Sequence, residues 1–145
     1  MAVLLHNKKV GFDYEILERF EAGLELVGHE VKSLRNKLGS LDGSYVTVRG
    51  AEAFIINMSI PAYQQNNIKN YDPERNRKLL LTKDEILKLA SIERGLTIVP
   101  ITVYNKGRKI KIEIASVRNK KKFDKREVMK KKDAKREIER TLKNK

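Results

Sequence analysis

The chain has no cysteine in 145 residues. That excludes disulfides, thiolate metal sites and cysteine nucleophiles, and it is compatible with a reducing compartment. Histidine occurs twice, as His6 and His29. His29-Glu30 looks like the start of a zinc-protease motif, but Ser33 stands where the second histidine would be. No metal site is expected. No apolar run approaches the ~18 residues of a membrane-spanning helix. The apolar run at residues 2–5 is too short for a signal peptide, and its lysines follow it instead of preceding it. The expectation is a cytosolic protein, with no membrane partner. Gly39 and Gly43 match neither phosphate-loop fingerprint. Glu30, Glu52 and Glu113 are scattered and read as solvated carboxylates, and Ser33, Ser40 and Ser44 have no evident base. These absences leave a protein that binds instead of catalysing, with no cofactor.

What is present is positive charge. The formal net charge is +13 and the pI about 9.9. Residues 118–145 hold 14 Lys/Arg against 5 Asp/Glu, so most of the excess lies in the last fifth of the chain. A polyanion partner follows, nucleic acid first and an anionic membrane surface second. The expected organisation is one compact domain over residues 1–117 and a basic tail over 118–145.

In chain order, residues 8–26 read as a long bent strand with a kink near Ala22-Gly23, because Phe12, Tyr14, Ile16 and Phe20 keep a two-residue period that Leu17 interrupts. A helix over residues 15–21 is the alternative. His6 falls in a segment expected to be mobile. Val27, Val31, Leu34 and Leu38 are spaced four, three and four, which predicts a short helix over 28–35 with Lys32 and Arg35 off its stripe. Residues 44–60 read as a hairpin turned at Gly50. Residues 63–76 are polar and read as a surface loop. Thr82-Lys83-Asp84-Glu85 is a capping box, with Leu81 and Ile86 at the staple positions and Gly95 stopping the helix. Residues 96–104 and 109–117 form the last hairpin. Pro100 marks an edge or a bulge, while Ile110, Ile112 and Ile114 face inward and Lys109, Lys111 and Glu113 outward. About six strands with short helices and no βαβ repeat predict a mainly β protein, a small closed barrel of the oligonucleotide-binding type.

The tail has too few apolar residues to fold alone, since burial cannot offset its ordering entropy. Asp124-Lys125-Arg126-Glu127 is a second capping-box pattern, and Ala134, Ile138 and Leu142 recur every four residues. The expectation is a segment disordered when free and helical on a phosphate-lined surface. Phe123 lies within a run of lysines and has no core to enter, so it is a candidate for stacking on an unpaired base. Lys8/Lys9, Lys32/Arg35 and Arg75/Arg77/Lys78 are three further basic groups, which together with the tail favour a structured RNA.

Several blocks carry a family resemblance. They are Phe20-Glu21-Ala22-Gly23, the run Glu30-Val31-Lys32-Ser33-Leu34-Arg35, Arg77-Lys78-Leu79-Leu80-Leu81 and Asp124-Lys125-Arg126. Together with Asn7-Lys8-Lys9 they resemble the SsrA-binding protein family, also called small protein B, in register from about Asn7 to Arg140. The resemblance implies a barrel that binds the tRNA-like domain of tmRNA. It also implies entry into the A site of stalled ribosomes with alanyl-tmRNA and elongation factor Tu, with the tail in the 16S rRNA decoding centre and empty mRNA channel. That activity is trans-translation. By position, Glu21, Leu80 and Thr82 fall on the tmRNA face with Phe12 near it. Lys8, Lys9, Lys32, Arg35, Arg75, Arg77 and Lys78 join that face on chemical grounds. Asn119, Lys120, Lys121, Phe123, Asp124, Lys125 and Arg126 fall on the decoding-centre part of the tail. Thr82 replaces the family's usual histidine or asparagine, and its N-cap role competes with an RNA contact. Asn119 replaces the usual glycine and is read as a sharp turn out of the barrel. The alternative reading is a ribosomal protein or a general single-strand binder on the same barrel.

Overall fold

The structure, a computed structural model, describes residues 2–63, 70–92 and 94–119. The alternation of isoleucines in residues 109–117 produces the strand it predicts. β7 (Lys109–Asn119) buries Ile110, Ile112 and Ile114, and pairs along its length with β6 (Leu96–Lys106) through a turn where Gly107 has φ 62°. On its other edge β7 pairs with β2 (Tyr14–Leu24). The expected early hairpin is β3 (Tyr45–Arg49) with β4 (Glu52–Ile56), turned at Gly50 with φ 61°. β5 (Arg77–Leu80) joins β4 to the end of β2, and β3 returns to β6 through Val46↔Ile98. The antiparallel pairings thus close a six-strand ring, β6-β3-β4-β5-β2-β7. β1 (Ala2–His6) adds a seventh strand on β6.

Two bulges decide which side chains face in. In β2 the register shifts between Ile16 and Glu18, and in β6 between Pro100 and Thr102. An extra residue reverses the face of everything after it. Tyr14 and Ile16 therefore pack with Val10, Val99, Ile101, Ala115 and Val117 in a small second cluster, while Phe20, Ala22 and Leu24 enter the main core. Likewise Val99 and Ile101 join the second cluster, and Val103 the main core. The interruption at Leu17 is this bulge, so the irregularity lies at residue 17 and not at Ala22-Gly23. The Pro100 expectation of a bulge is met.

Three helices complete the fold. α1 (Val10–Asp13) sets Val10 over the second cluster. α2 (Gly28–Arg35) buries Leu34, and α3 (Lys83–Ala90) buries Leu89. In α3 the Glu85 amide donates to the Thr82 hydroxyl oxygen at 3.3 Å and the Thr82 amide to the Glu85 carboxylate at 3.1 Å, the reciprocal bonds of the predicted capping box. The segment around His6 is strand, since β1 pairs with residues 102–105 of β6. Asn7 secures it: its amide nitrogen Nδ2 donates to the Pro100 carbonyl at 3.0 Å. Residues 70–76 are not a bare surface loop, because Tyr71 is half-buried and bonded to α2. Asn119 is not a turn. It is the last residue of β7, paired with Tyr14, and its φ is not positive. Ladder pairing to β2 holds it extended, two residues past the expected boundary at Val117. Lys120, Lys121, Phe123, Asp124, Lys125 and Arg126 lie outside the described residues.

Candidate nucleic-acid interface

Strand alternation in β5 sorts the basic block 75–78. Leu79 enters the core, so Arg77 points inward with it, while Lys78 and Leu80 point outward. Arg77 is fully buried. Its Nε donates to Glu30 at 2.7 Å and its Nη1 to the Met58 carbonyl at 2.6 Å. Arg77 is therefore removed from the RNA-facing set: an arginine with no accessible surface reaches no phosphate. Glu30, read as solvated, is its buried partner. The same carboxylate accepts from the Val27 amide at 2.9 Å, the Tyr71 hydroxyl at 2.9 Å and Arg75 Nε at 3.1 Å. Burial alone would raise the pKa of Glu30. The Arg75 hydrogen bond, the Val27 amide, the Arg77 charge and the Tyr71 hydroxyl reverse that and lower it from 4.5 to about 2. Arg75 keeps a third of its side chain exposed, but it is also committed to Glu30.

The outward face of β5 meets β2 at Gly23↔Leu80. Leu80 is 54% exposed. It lies so close over Gly23 that a Cβ there would come 3.2 Å from the Leu80 Cβ. Glycine permits that approach, and the leucine then stands open as an apolar platform. A groove of about 300 Å³ runs past it. Leu26 and Val31 give it apolar wall, and Arg35, Arg108, Lys109 and Lys111 give it four cations. Arg35 Nη2 donates to the Arg108 carbonyl at 3.0 Å, tying the end of α2 to the β6–β7 turn. Among the described residues no acidic side chain lines this groove.

Glu21 lies two residues from Gly23 on β2, on the same outward face. Its carboxylate accepts from the Tyr104 hydroxyl and from Lys106 Nζ at 3.0 Å. These two hydrogen bonds, Tyr104 first, hold its pKa below the ordinary value. Glu113, opposite Glu21 on β7, is taken by Arg19 at 2.7 Å.

The remaining predicted residues are placed as follows. Lys32 is exposed on α2 outside the groove lining. Lys78 pairs with Glu52 at 3.2 Å. Thr82 is exposed, but its hydroxyl donates to Glu85 at 2.9 Å, so the capping role occupies it. Lys8, Lys9 and the 73%-exposed Phe12 sit just before Tyr14, at the far end of β2. Tyr14 to Gly23 spans about 30 Å of strand, so the predicted set divides between two ends of one strand. Gly23, Tyr104, Lys106, Arg108, Lys109 and Lys111 were not among the predicted site residues. The outward period of Lys109 and Lys111 was the available signal for two of them.

Among the described residues no cluster of His, Cys, Asp or Glu could hold a metal, and no helix is long and apolar enough to cross a membrane. A closed antiparallel ring with a cationic, apolar-walled groove defines a β-ring protein whose surface suits a polyanion. The family model described as "SmpB protein" matches residues 4–144. This chain belongs to that family. It is 47% identical to the SsrA-binding protein of Clostridium acetobutylicum over 143 residues, 97% of this chain and 92% of that protein. It is 46% identical to the SsrA-binding protein of Clostridium botulinum over 142 residues, 97% of this chain and 91% of that one. A solved chain described as "tmRNA-SmpB: a journey to the center of the bacterial ribosome" superposes with a TM-score of 0.70 at 41% identity, covering 83% of this chain and 86% of the other.

Proposed function

We propose that this protein is a non-enzymatic RNA-binding adaptor for trans-translation, acting in the cytoplasm. It binds the tRNA-like domain of tmRNA on the face that carries Glu21, Leu80 and the groove cations. It enters the A site of a stalled ribosome with alanyl-tmRNA and elongation factor Tu. Residues 120–145, above all Phe123, Asp124, Lys125 and Arg126, then engage the decoding centre and the empty mRNA channel. Lys8, Lys9 and Phe12 contribute a second RNA contact at the opposite end of β2. The relatives named for SsrA binding, and the likeness to a chain described with tmRNA, support the choice of RNA.

One juxtaposition carries the reading. Leu80 stands open over Gly23, with Glu21 beside it on the same face and four cations around the groove. An apolar platform takes the face of an unpaired base, a carboxylate accepts from a base N–H, and the cations take phosphates. The tail departs from Asn119, paired with Tyr14, at the other end of β2. The two RNA tasks are thus separated along the strand.

The test compares the full chain with one ended after Asn119, so that β7 stays complete. At ~0.2 M salt both should prefer tmRNA over bulk tRNA, because the counterion-release contribution is blind to sequence. Only the full chain should support tagging on stalled ribosomes. Loss of tmRNA affinity by orders of magnitude in the shortened chain would sink this division. Equal affinity for tmRNA and bulk tRNA would favour a general single-strand binder. Labelled tmRNA incubated with the protein and divalent metal should remain uncleaved.

A further inference from the structure

We infer that Tyr104 is a positioning residue for RNA recognition: its hydroxyl, with the Lys106 ammonium, fixes the Glu21 carboxylate in the orientation that accepts hydrogen bonds from a base edge. The inference rests on the reading of Glu21 as an RNA contact. It begins with backbone register. Thr102, Tyr104 and Lys106 follow the β6 bulge, which turns Val103 into the core and sends these three to the outer face. The β2 bulge brings Arg19, Glu21 and Gly23 to that same face. Without the extra residue at Ile101, Tyr104 would point into the ring.

β7 lies between β6 and β2, so the two strands are about 10 Å apart. Only long side chains close that gap. Tyr104 donates to one Glu21 oxygen, and Lys106 Nζ lies 3.0 Å from the other. The tyrosine is nearly buried, at 7% exposure, whereas Lys106 and Glu21 stay open. The tyrosine is therefore the fixed member of the three. A carboxylate offers about four lone-pair sites. Two are used by these partners, and two remain for N–H groups of an incoming base. An unheld carboxylate would turn toward the groove cation Lys111, its neighbour on β7, and away from the RNA. It would also repel the phosphates the groove cations attract. Holding it on the Tyr104 side keeps the cations free for phosphate.

A double-mutant cycle on the full chain tests this, read as affinity for the tRNA-like domain of tmRNA at fixed salt. Tyr104→Phe removes only the hydroxyl and should weaken binding about fivefold. Glu21→Ala should weaken it about tenfold. The double variant should match Glu21→Ala alone, because Tyr104 acts through Glu21. Additive losses would overturn the positioning role. If Glu21→Ala leaves affinity unchanged, the reading of Glu21 as an RNA contact fails instead.

A pH profile gives the second readout. The groups facing Glu21 are Tyr104 and Lys106 on β6, Lys111 and Glu113 on β7 and Arg19 on β2, while the β5 register sets Lys78 beside Glu25, four residues away, where it is tied to Glu52. Without the tyrosine hydroxyl the Glu21 carboxyl loses the largest cause of its lowered pKa, so the variant should lose affinity at a higher pH than the parent on acidification. Coincident profiles count against the inference. Should Tyr104→Phe fail to fold by circular dichroism, Lys106→Met carries the cycle. Its loss must vanish in the Glu21→Ala background, and persistence of that loss overturns the proposal.

Discussion

Glu30 and Glu21 each sit against a tyrosine hydroxyl and a cation, yet one is fully buried and the other open. Glu30 joins α2 to residues 71–77 through Tyr71, Arg75 and Arg77. Glu21 joins β2 to β6 across the outer face of β7 through Tyr104 and Lys106. The chemistry of the partners is alike, and burial sets what each cluster does. In the interior, removing one partner strands a charge that water cannot reach. On the surface, water and neighbouring lysines replace a lost partner, so the cost to folding is small, and under the proposed function it falls on recognition instead.

The largest expected effect follows from the buried cluster. Glu30→Ala leaves Arg77 uncompensated inside the protein and should cost about 3–5 kcal/mol of stability, measured by urea midpoint. Replacing Glu30 and Arg77 together with apolar residues should recover much of that loss, since no buried charge then remains. The sign with pH is also fixed. The folded pKa of Glu30 is depressed to about 2 from 4.5, so its contribution is complete above about pH 4.5 and is lost as pH falls toward 2. The amount is about 3 kcal/mol. A Glu30→Gln variant should lack that part of the acid slope. A parent protein with no acid slope between these values would break the comparison at its buried side.

The surface side should behave in the opposite way. Leu80→Ala removes the open platform without touching the core. It should shift stability by less than about 0.5 kcal/mol. Affinity for tmRNA should fall about tenfold, the equivalent of losing one partly buried apolar side chain from a contact. Gly23→Ala should act on the same platform indirectly. Its new Cβ would stand 3.2 Å from the Leu80 Cβ and push the leucine outward. If Leu80→Ala destabilises the fold while tmRNA affinity holds, the outer face is structural and the division between the two glutamates fails.

The difference between the clusters also explains what could be read from the sequence. The capping box at Thr82 and Glu85 and the alternation of Ile110, Ile112 and Ile114 are local patterns, and both formed as written. So did the hairpin turned at Gly50. Leu17 broke the strand period, and the break was a real bulge placed a few residues from where it was expected. β1 was not legible, because five residues become a strand only against β6. Glu30 and Arg77 are 47 residues apart, and Glu21 and Tyr104 are 83 apart. No spacing rule reaches across such separations. Arg77 alone carried a usable local sign: alternation from core-facing Leu79 turns it inward, although the run of cations 75–78 suggests a surface patch.

The smallest expected effect sharpens the surface side further. Lys111 pairs with Gly23 across β7 and β2 and lines the groove beside Leu80. If it meets a phosphate, it contributes one released counterion and little else. Lys111→Gln should then weaken tmRNA and bulk tRNA by similar factors and lower the slope of log affinity against log salt by about 0.7–0.9. If Glu21 accepts from a base edge, Glu21→Ala should do the reverse, narrowing the preference for tmRNA while leaving the salt slope nearly unchanged, because such an acceptor releases no counterion. The pair therefore separates positioning by charge from reading by hydrogen bond within one face. Equal salt slopes in the parent and Lys111→Gln would mean that the RNA backbone passes elsewhere, and the groove cations would then serve only to balance Glu21 and Glu113.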